Sequence, residues 1–220
     1  MLESLSTTLL GGTVEFPKWS ALLLSVCATL VHAAQPDAHH LGVSGCASGN
    51  CHGAVTPFPG AAIAQDEYLV WQRKDPHASS YYNLRSARAQ SIAAALGAGE
   101  AVAAPQCLAC HADNVPAARR GAQFHIEDGI GCEACHGAAE PWLGSHPAGF
   151  ASLEQRKAAG LYPTWDAAAR ARLCSGCHVG DAAHPVTHAL MRAGHPPLQF
   201  EMDTYLSLET PHWKADADYA

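Results

Sequence analysis

The sequence has little positive charge, which bears on its possible partners. Its 220 residues include 13 Lys and Arg against 20 Asp and Glu, a formal net charge of −7. Net acidity argues against nucleic acid as a partner, because proteins bind nucleic acid by neutralising phosphates with basic side chains. It is compatible with basic redox partner proteins, but solubility alone would also explain it.

The sequence also lacks an apolar run of the length typical of a membrane-spanning helix. Its apolar run ALLLSVCATLVHAA at residues 21–34 is shorter than a spanning helix needs. The run follows Lys18 and ends in small residues, and VHA at residues 31–33 resembles a cleavage site, so residues 1–34 are predicted to be a secretory signal peptide. An uncleaved N-terminal anchor is the alternative. Residues 35–220 are then expected to form one exported domain, located in the periplasm.

No alternation of apolar and polar residues persists long enough to predict a β-strand. Helix signals are present instead. Residues 65–74 form an apolar-rich helix candidate, and Ser86 is a capping residue for a second helix that ends near Leu96. Asp166 opens a third helix with the sequence AAARARLCSGCH. The expected fold is mainly α-helical with extensive loops.

Cysteine is abundant in this chain, in close pairs that histidine follows directly. Two cysteines three positions apart on one helical turn can reach two vinyl groups along one edge of a porphyrin, and the next residue then offers its imidazole to the iron. Three such C-x-x-C-H motifs are present: Cys107, Cys110 and His111; Cys132, Cys135 and His136; Cys174, Cys177 and His178.

Zinc ribbons and disulfide frameworks are the two rival explanations of paired cysteines. A zinc ribbon brings two cysteine knuckles to one ion without a fixed histidine after each knuckle. A disulfide framework does not require that histidine at all. The three motifs therefore predict three covalently attached c-type haems, with His111, His136 and His178 as proximal iron ligands.

The stretch SGCASGNCHG contains a fourth, irregular pair, Cys46 and Cys51, followed by His52. Four residues separate its cysteines, and these residues are small or turn-forming. A disulfide that closes a small loop is the alternative. We expect a fourth haem, with residues 47–50 bulging from the attachment turn and His52 facing the iron. Four haems in so short a chain would form most of the core, with sparse regular structure around them.

Nine further histidines follow the predicted signal peptide, enough to supply a second ligand to every iron. Four distal ligands would make each haem bis-histidine, low-spin and closed to substrates, whereas fewer would leave an open iron. His39 and His40 lie in a polar segment that we expect to be solvated. The predicted distal ligands are His77, His146, His188 and His195, with His212 in reserve.

Several segments in order resemble periplasmic multihaem c-type cytochromes related to the tetrahaem cytochrome c family of ammonia-oxidising bacteria. These segments are WQRKDPHASSYYNL, CLACH, GIGCEACHG, ARLCSGCHVG, VTHALMRAGHPPLQFE and PHW. The resemblance implies closely packed parallel and perpendicular haem pairs, with His52, His111, His136 and His178 as proximal ligands. The sequence departs from the family pattern in the longer first motif and in Pro197, where a basic residue is expected.

The resemblance and the motifs together predict a periplasmic electron carrier. Such a protein needs redox partner proteins but no catalytic residue and no small-molecule substrate. The first alternative is a reductase of a small nitrogen or sulfur compound, which requires a five-coordinate haem. The second is a homo-oligomer, in which subunits stack into a conductive polymer.

Overall fold

The computed structural model describes residues 37–60, 63–208 and 211–212. The chain divides into residues 1–34 and residues 35–220, and every described residue lies in the second unit. The predicted signal peptide lies outside the described residues. Within those residues, no helix is both long enough and apolar enough to cross a membrane.

The described residues are helical and rich in loops, as predicted. An isolated bridge between His40 and Arg120 is the β-pairing recorded among them. The α-helices are α1 (Glu67–Lys74), α2 (Ser80–Asn83), α3 (Ala87–Ala95), α4 (Pro105–His111), α5 (Cys132–His136), α6 (Leu153–Ala159), α7 (Ala167–His178), α8 (His188–Arg192) and α9 (Met202–Leu208). Short 3₁₀ turns occur at Val43–Gly45, Pro76–Ser79, Ala117–Arg119, Ile126–Asp128 and His146–Ala148.

The three predicted helices form close to their expected bounds. The Asp166 carboxylate accepts a hydrogen bond of 2.7 Å from the Ala169 N–H and caps α7. The Ser86 hydroxyl accepts one of 3.2 Å from the Ala89 N–H at the start of α3. Such caps satisfy backbone donors that the first helical turn leaves unpaired, so the helices begin where these side chains stand.

The apolar core of side chains is small and is built around α2, α3 and α4. No large side chain is fully buried in the described part of the chain. The residues of the core cluster are Tyr81, Leu84, Ala93, Ala101, Leu108 and Ala112. Three of these six are alanines, so burial of apolar side chains contributes modestly to the stability of this region.

The expectation that His39 and His40 are solvated is wrong for His40. Its ring is buried, and its Nδ1 lies 2.7 Å from Asp113 Oδ2. The His39 Nδ1 lies 2.8 Å from Glu140 Oε2. The sequence did not indicate these contacts, because the partner carboxylates are 73 and 101 residues away.

Glu133 attaches this N-terminal segment to the third cysteine motif. Its carboxylate is buried and accepts hydrogen bonds from the N–H groups of Leu41, Gly42 and Ala139 at 2.9, 2.7 and 2.6 Å. A buried carboxylate is tolerated when several donors surround it. Glu133 lies inside the CEACH motif, so the N-terminal segment is held directly against that motif.

Candidate haem-binding sites

The three C-x-x-C-H motifs lie on helices that end at the motif histidine. Helix α4 ends at His111, α5 at His136 and α7 at His178. Because residues three apart share a helix face, each pair of cysteines lies on one side of its helix. All eight cysteines of the four motifs are free thiols in the structure, so each is available for a thioether bond.

The irregular first motif forms the expected bulge. The His52 N–H donates to the Cys46 carbonyl at 3.0 Å, while Ser48, Gly49 and Asn50 are exposed. In a regular helical motif, the histidine N–H reaches the carbonyl of the first cysteine, four residues back. The longer motif keeps this same donor and acceptor, and its extra residues loop out between them. Cys46 and Cys51 form no disulfide.

Each motif histidine faces one histidine from a distant part of the chain. The ring centres are 6.1 Å apart for His52 and His146, 6.5 Å for His111 and His195, 6.2 Å for His136 and His212, and 6.0 Å for His178 and His77. We number the sites 1 to 4 by their motif histidines: His52, His111, His136 and His178. Every site therefore has two imidazoles.

These separations fit an iron ion between the rings. An imidazole nitrogen lies about 2 Å from a first-row metal and roughly 1 Å from its own ring centre, so two histidines on opposite sides of one iron have ring centres about 6 Å apart. The observed range of 6.0 to 6.5 Å matches this value. Paired thiols followed by histidine are the attachment motif of c-type haem, and a second histidine opposite can supply the other axial ligand.

Hydrogen bonds at Nδ1 orient several of these rings. His111 Nδ1 lies 2.9 Å from the Ser80 carbonyl, and His146 Nδ1 lies 2.7 Å from the Leu143 carbonyl. Because a carbonyl only accepts, Nδ1 carries the proton and Nε2 keeps the lone pair that binds a metal. His195 is held in the same way by the Pro196 carbonyl at 2.8 Å.

Two of the rings are held by carboxylates instead. His52 Nδ1 lies 2.9 Å from Glu67 Oε2, and His77 Nδ1 lies 2.8 Å from Asp75 Oδ1. Burial alone would raise the pKa of Asp75, but hydrogen bonds from the side chain and backbone of His77 outweigh burial and lower it. Asp75 therefore remains an anion at neutral pH and serves only as an acceptor.

Burial keeps several motif histidines neutral. It lowers the pKa of His136 to about 4, with further contributions from His212 and His52. Burial also lowers the pKa values of His111 and His178. A neutral imidazole has a free lone pair at neutral pH, so these rings are in the protonation state that binds iron.

Comparison with known proteins agrees with this geometry. Residues 45–137 match the model of the family described as cytochrome c554 and c-prime. The match supports a multihaem c-type cytochrome family, covalently bound haem c with iron, and a role in haem-based electron transfer. It spans sites 1, 2 and 3 and ends before Cys174. No curated protein and no solved structure matches the chain.

Contacts between thiols of different motifs show which sites adjoin. A hydrogen bond to Cys132 lowers the pKa of Cys46, so sites 1 and 3 are neighbours. A hydrogen bond to Cys177 lowers the pKa of Cys110 to about 7, so sites 2 and 4 are neighbours. The pKa of Cys177 is raised mainly by its bond to Cys110 and also, as the last of several causes, by Cys135 of site 3. These contacts place site 1 beside site 3 and site 2 beside site 4.

The structure brings most of the predicted distal histidines to a motif histidine. His77, His146 and His195 lie opposite one, and so does His212, the reserve candidate. His188 is exposed at the start of α8 and belongs to no histidine ring pair among the described residues.

Glu67 and Asp75 are functional candidates that were not predicted from the sequence. Asp75 precedes His77 by two residues in a D-P-H turn, a spacing at which an aspartate side chain reaches backbone and side-chain groups ahead of it. Glu67 gave no such signal, because it is 15 residues from His52 and only the fold brings the two together.

Proposed function

We propose that this protein transfers electrons through four covalently attached c-type haems, each bound between two histidines. The observation that carries the proposal is the set of four ring pairs, one for each cysteine motif, at a separation that fits a shared iron. When bound, haem iron alternates between ferrous and ferric states and so exchanges single electrons.

The proposed ligands follow from these pairs. At each site the motif cysteines hold the haem edge, and Nε2 of the motif histidine and of the histidine opposite bind the iron. The proposed axial pairs are His52 with His146, His111 with His195, His136 with His212, and His178 with His77.

The proposed electron path runs through sites 1, 3, 4 and 2. Support comes from the thiol contacts between Cys46 and Cys132 and between Cys110 and Cys177. His52 also lies close enough to His136 to lower the pKa of His136, which agrees with sites 1 and 3 being adjacent. Covalent haems whose attachment points lie this close form a chain without a diffusing intermediate.

We place this function in the periplasm on the strength of the predicted signal peptide. The net charge of −7 would suit basic redox partner proteins. A carrier with every iron closed needs no small-molecule substrate. Self-association of the subunits is compatible with the proposal but not required by it.

Replacement of single histidines tests the ligand assignment. His146→Ala, His77→Ala, His195→Ala and His212→Ala should each convert one low-spin haem to high-spin in the electronic and paramagnetic resonance spectra, with four haems still attached. His188→Ala and His125→Ala are the matched controls, because both side chains are exposed, and they should leave the spectra unchanged. A high-spin haem in His188→Ala together with an unchanged His212→Ala would contradict the assignment.

The reductase alternative is tested on the unaltered protein. A reductase needs an iron open to its substrate, whereas the proposed axial pairs would close all four irons. Addition of cyanide or nitric oxide should leave the spectrum of the purified protein unchanged. A high-spin component that binds these ligands would favour the reductase.

A further inference from the structure

The proposed axial histidines differ in what holds their Nδ1 proton. At site 2 both histidines, His111 and His195, donate to neutral backbone carbonyls. At site 1, His52 bonds to the carboxylate of Glu67, and at site 4, His77 bonds to the carboxylate of Asp75. Sites 1 and 4 thus each have an anion behind one ligand, and site 2 has none in this position.

The two carboxylates are shielded from water and fixed in place. Their side chains are 14% and 8% exposed. The other oxygen of Glu67 accepts hydrogen bonds from the N–H groups of Ala64 and Gln65 at 3.0 and 3.1 Å. Asp75 Oδ1 also accepts from the His77 N–H at 2.9 Å. Solvent therefore screens these charges little, and they cannot turn away from the histidines.

A carboxylate behind an imidazole makes that imidazole a stronger electron donor. It attracts the Nδ1 proton more than a neutral carbonyl does and so raises the basicity of Nε2. A more basic ligand stabilises ferric iron, which has the higher positive charge, relative to ferrous iron. The reduction potential of that haem is lowered, since hydrogen bonding and local charge around the iron are what a protein uses to set it.

We propose that Glu67 and Asp75 are positioning residues that lower the reduction potentials of haems 1 and 4 below that of haem 2. This inference rests on the proposed function. Sites 4 and 2 adjoin, since the Ser80 hydroxyl lies 2.7 Å from the His77 carbonyl and 3.0 Å from the His111 carbonyl. Along the proposed path 1, 3, 4, 2, the last step, from haem 4 to haem 2, is then favourable for electrons. Haem 2 is then the end of the chain at which electrons collect.

A potentiometric titration of the purified four-haem protein and its variants tests this. Glu67→Gln and Asp75→Asn keep an acceptor oxygen and remove the charge. Each should weaken the ferric preference of one haem about tenfold, an upward shift of about 59 mV in one of the four one-electron couples. The double variant should shift two couples. Two independent variants keep the test decisive if one of them fails to fold.

Glu140→Gln is the matched control, because Glu140 makes the same carboxylate contact, at 2.8 Å, with His39, which lies in no histidine ring pair within the described part of the chain. It should leave all four couples in place. Unchanged couples in Glu67→Gln and Asp75→Asn, or an equal shift in Glu140→Gln, would overturn the proposal. The haem count and spin state of each protein distinguish a failure of this inference from a failure of the proposed function. Four low-spin haems with unshifted couples refute this inference alone. Missing haems or open irons in the wild type refute the proposed function.

Discussion

Single buried side chains hold the ligand-bearing segments together, and Ser80 is the clearest case. Its hydroxyl lies 2.7 Å from the His77 carbonyl and 3.0 Å from the His111 carbonyl, and it accepts a hydrogen bond of 3.1 Å from the Ile130 N–H. Two proposed iron ligands and the start of the third motif thus meet at one hydroxyl.

Ser80→Ala should lower the free energy of unfolding by about 0.5–1.5 kcal/mol, because it removes a hydroxyl that hydrogen-bonds to backbone groups of three segments, while the Ile130 N–H keeps its bond of 3.2 Å to the His77 carbonyl. The low-spin spectrum should persist, since the Ser80 backbone carbonyl that holds His111 Nδ1 remains. Urea denaturation followed by far-UV circular dichroism measures the change. Ser79→Ala, at an exposed neighbour, should change stability by less than about 0.5 kcal/mol, and equal effects of the two would refute this role.

Among the helices, α7 depends on its N-terminal cap for stability. The Asp166 carboxylate satisfies a first-turn donor and lies near the positive end of the helix dipole. Asp166→Ala should cost about 1–2 kcal/mol of stability. Asp166→Asn retains the acceptor and should cost much less. A thermal melt compares them, and equal losses would show that the cap is not the cause.

The bulge of site 1 depends on Gly53. A Cβ at this position would overlap the carbonyl oxygen of Ala47, which lies in the bulge. Gly53→Ala should therefore disturb the attachment turn and yield protein with three haems. Gly49→Ala is the control, because a Cβ there has no neighbour within 4 Å, and it should retain four haems. Mass spectrometry counts the haems, and four haems in Gly53→Ala would contradict the described turn.

The features that the sequence predicted are those with local causes. Helix starts at Ser86 and Asp166 follow from caps three residues from their partners, and the bulge follows from the extra residues between Cys46 and Cys51. The pairing of His136 with His212 and the burial of His40 against Asp113 depend on contacts 76 and 73 residues apart in sequence. No spacing rule predicts such contacts, so the sequence alone favours neither the pairing of His212 nor the burial of His40.

In the molecule as a whole, the polypeptide encloses four proposed irons and has only a small apolar core of side chains, and each motif histidine has a partner histidine opposite. The most direct test is the intact mass of the purified protein together with its spin-state spectrum. We expect four covalently attached haems, all low-spin. Three haems with a disulfide between Cys46 and Cys51, or any high-spin iron in the unaltered protein, would contradict it.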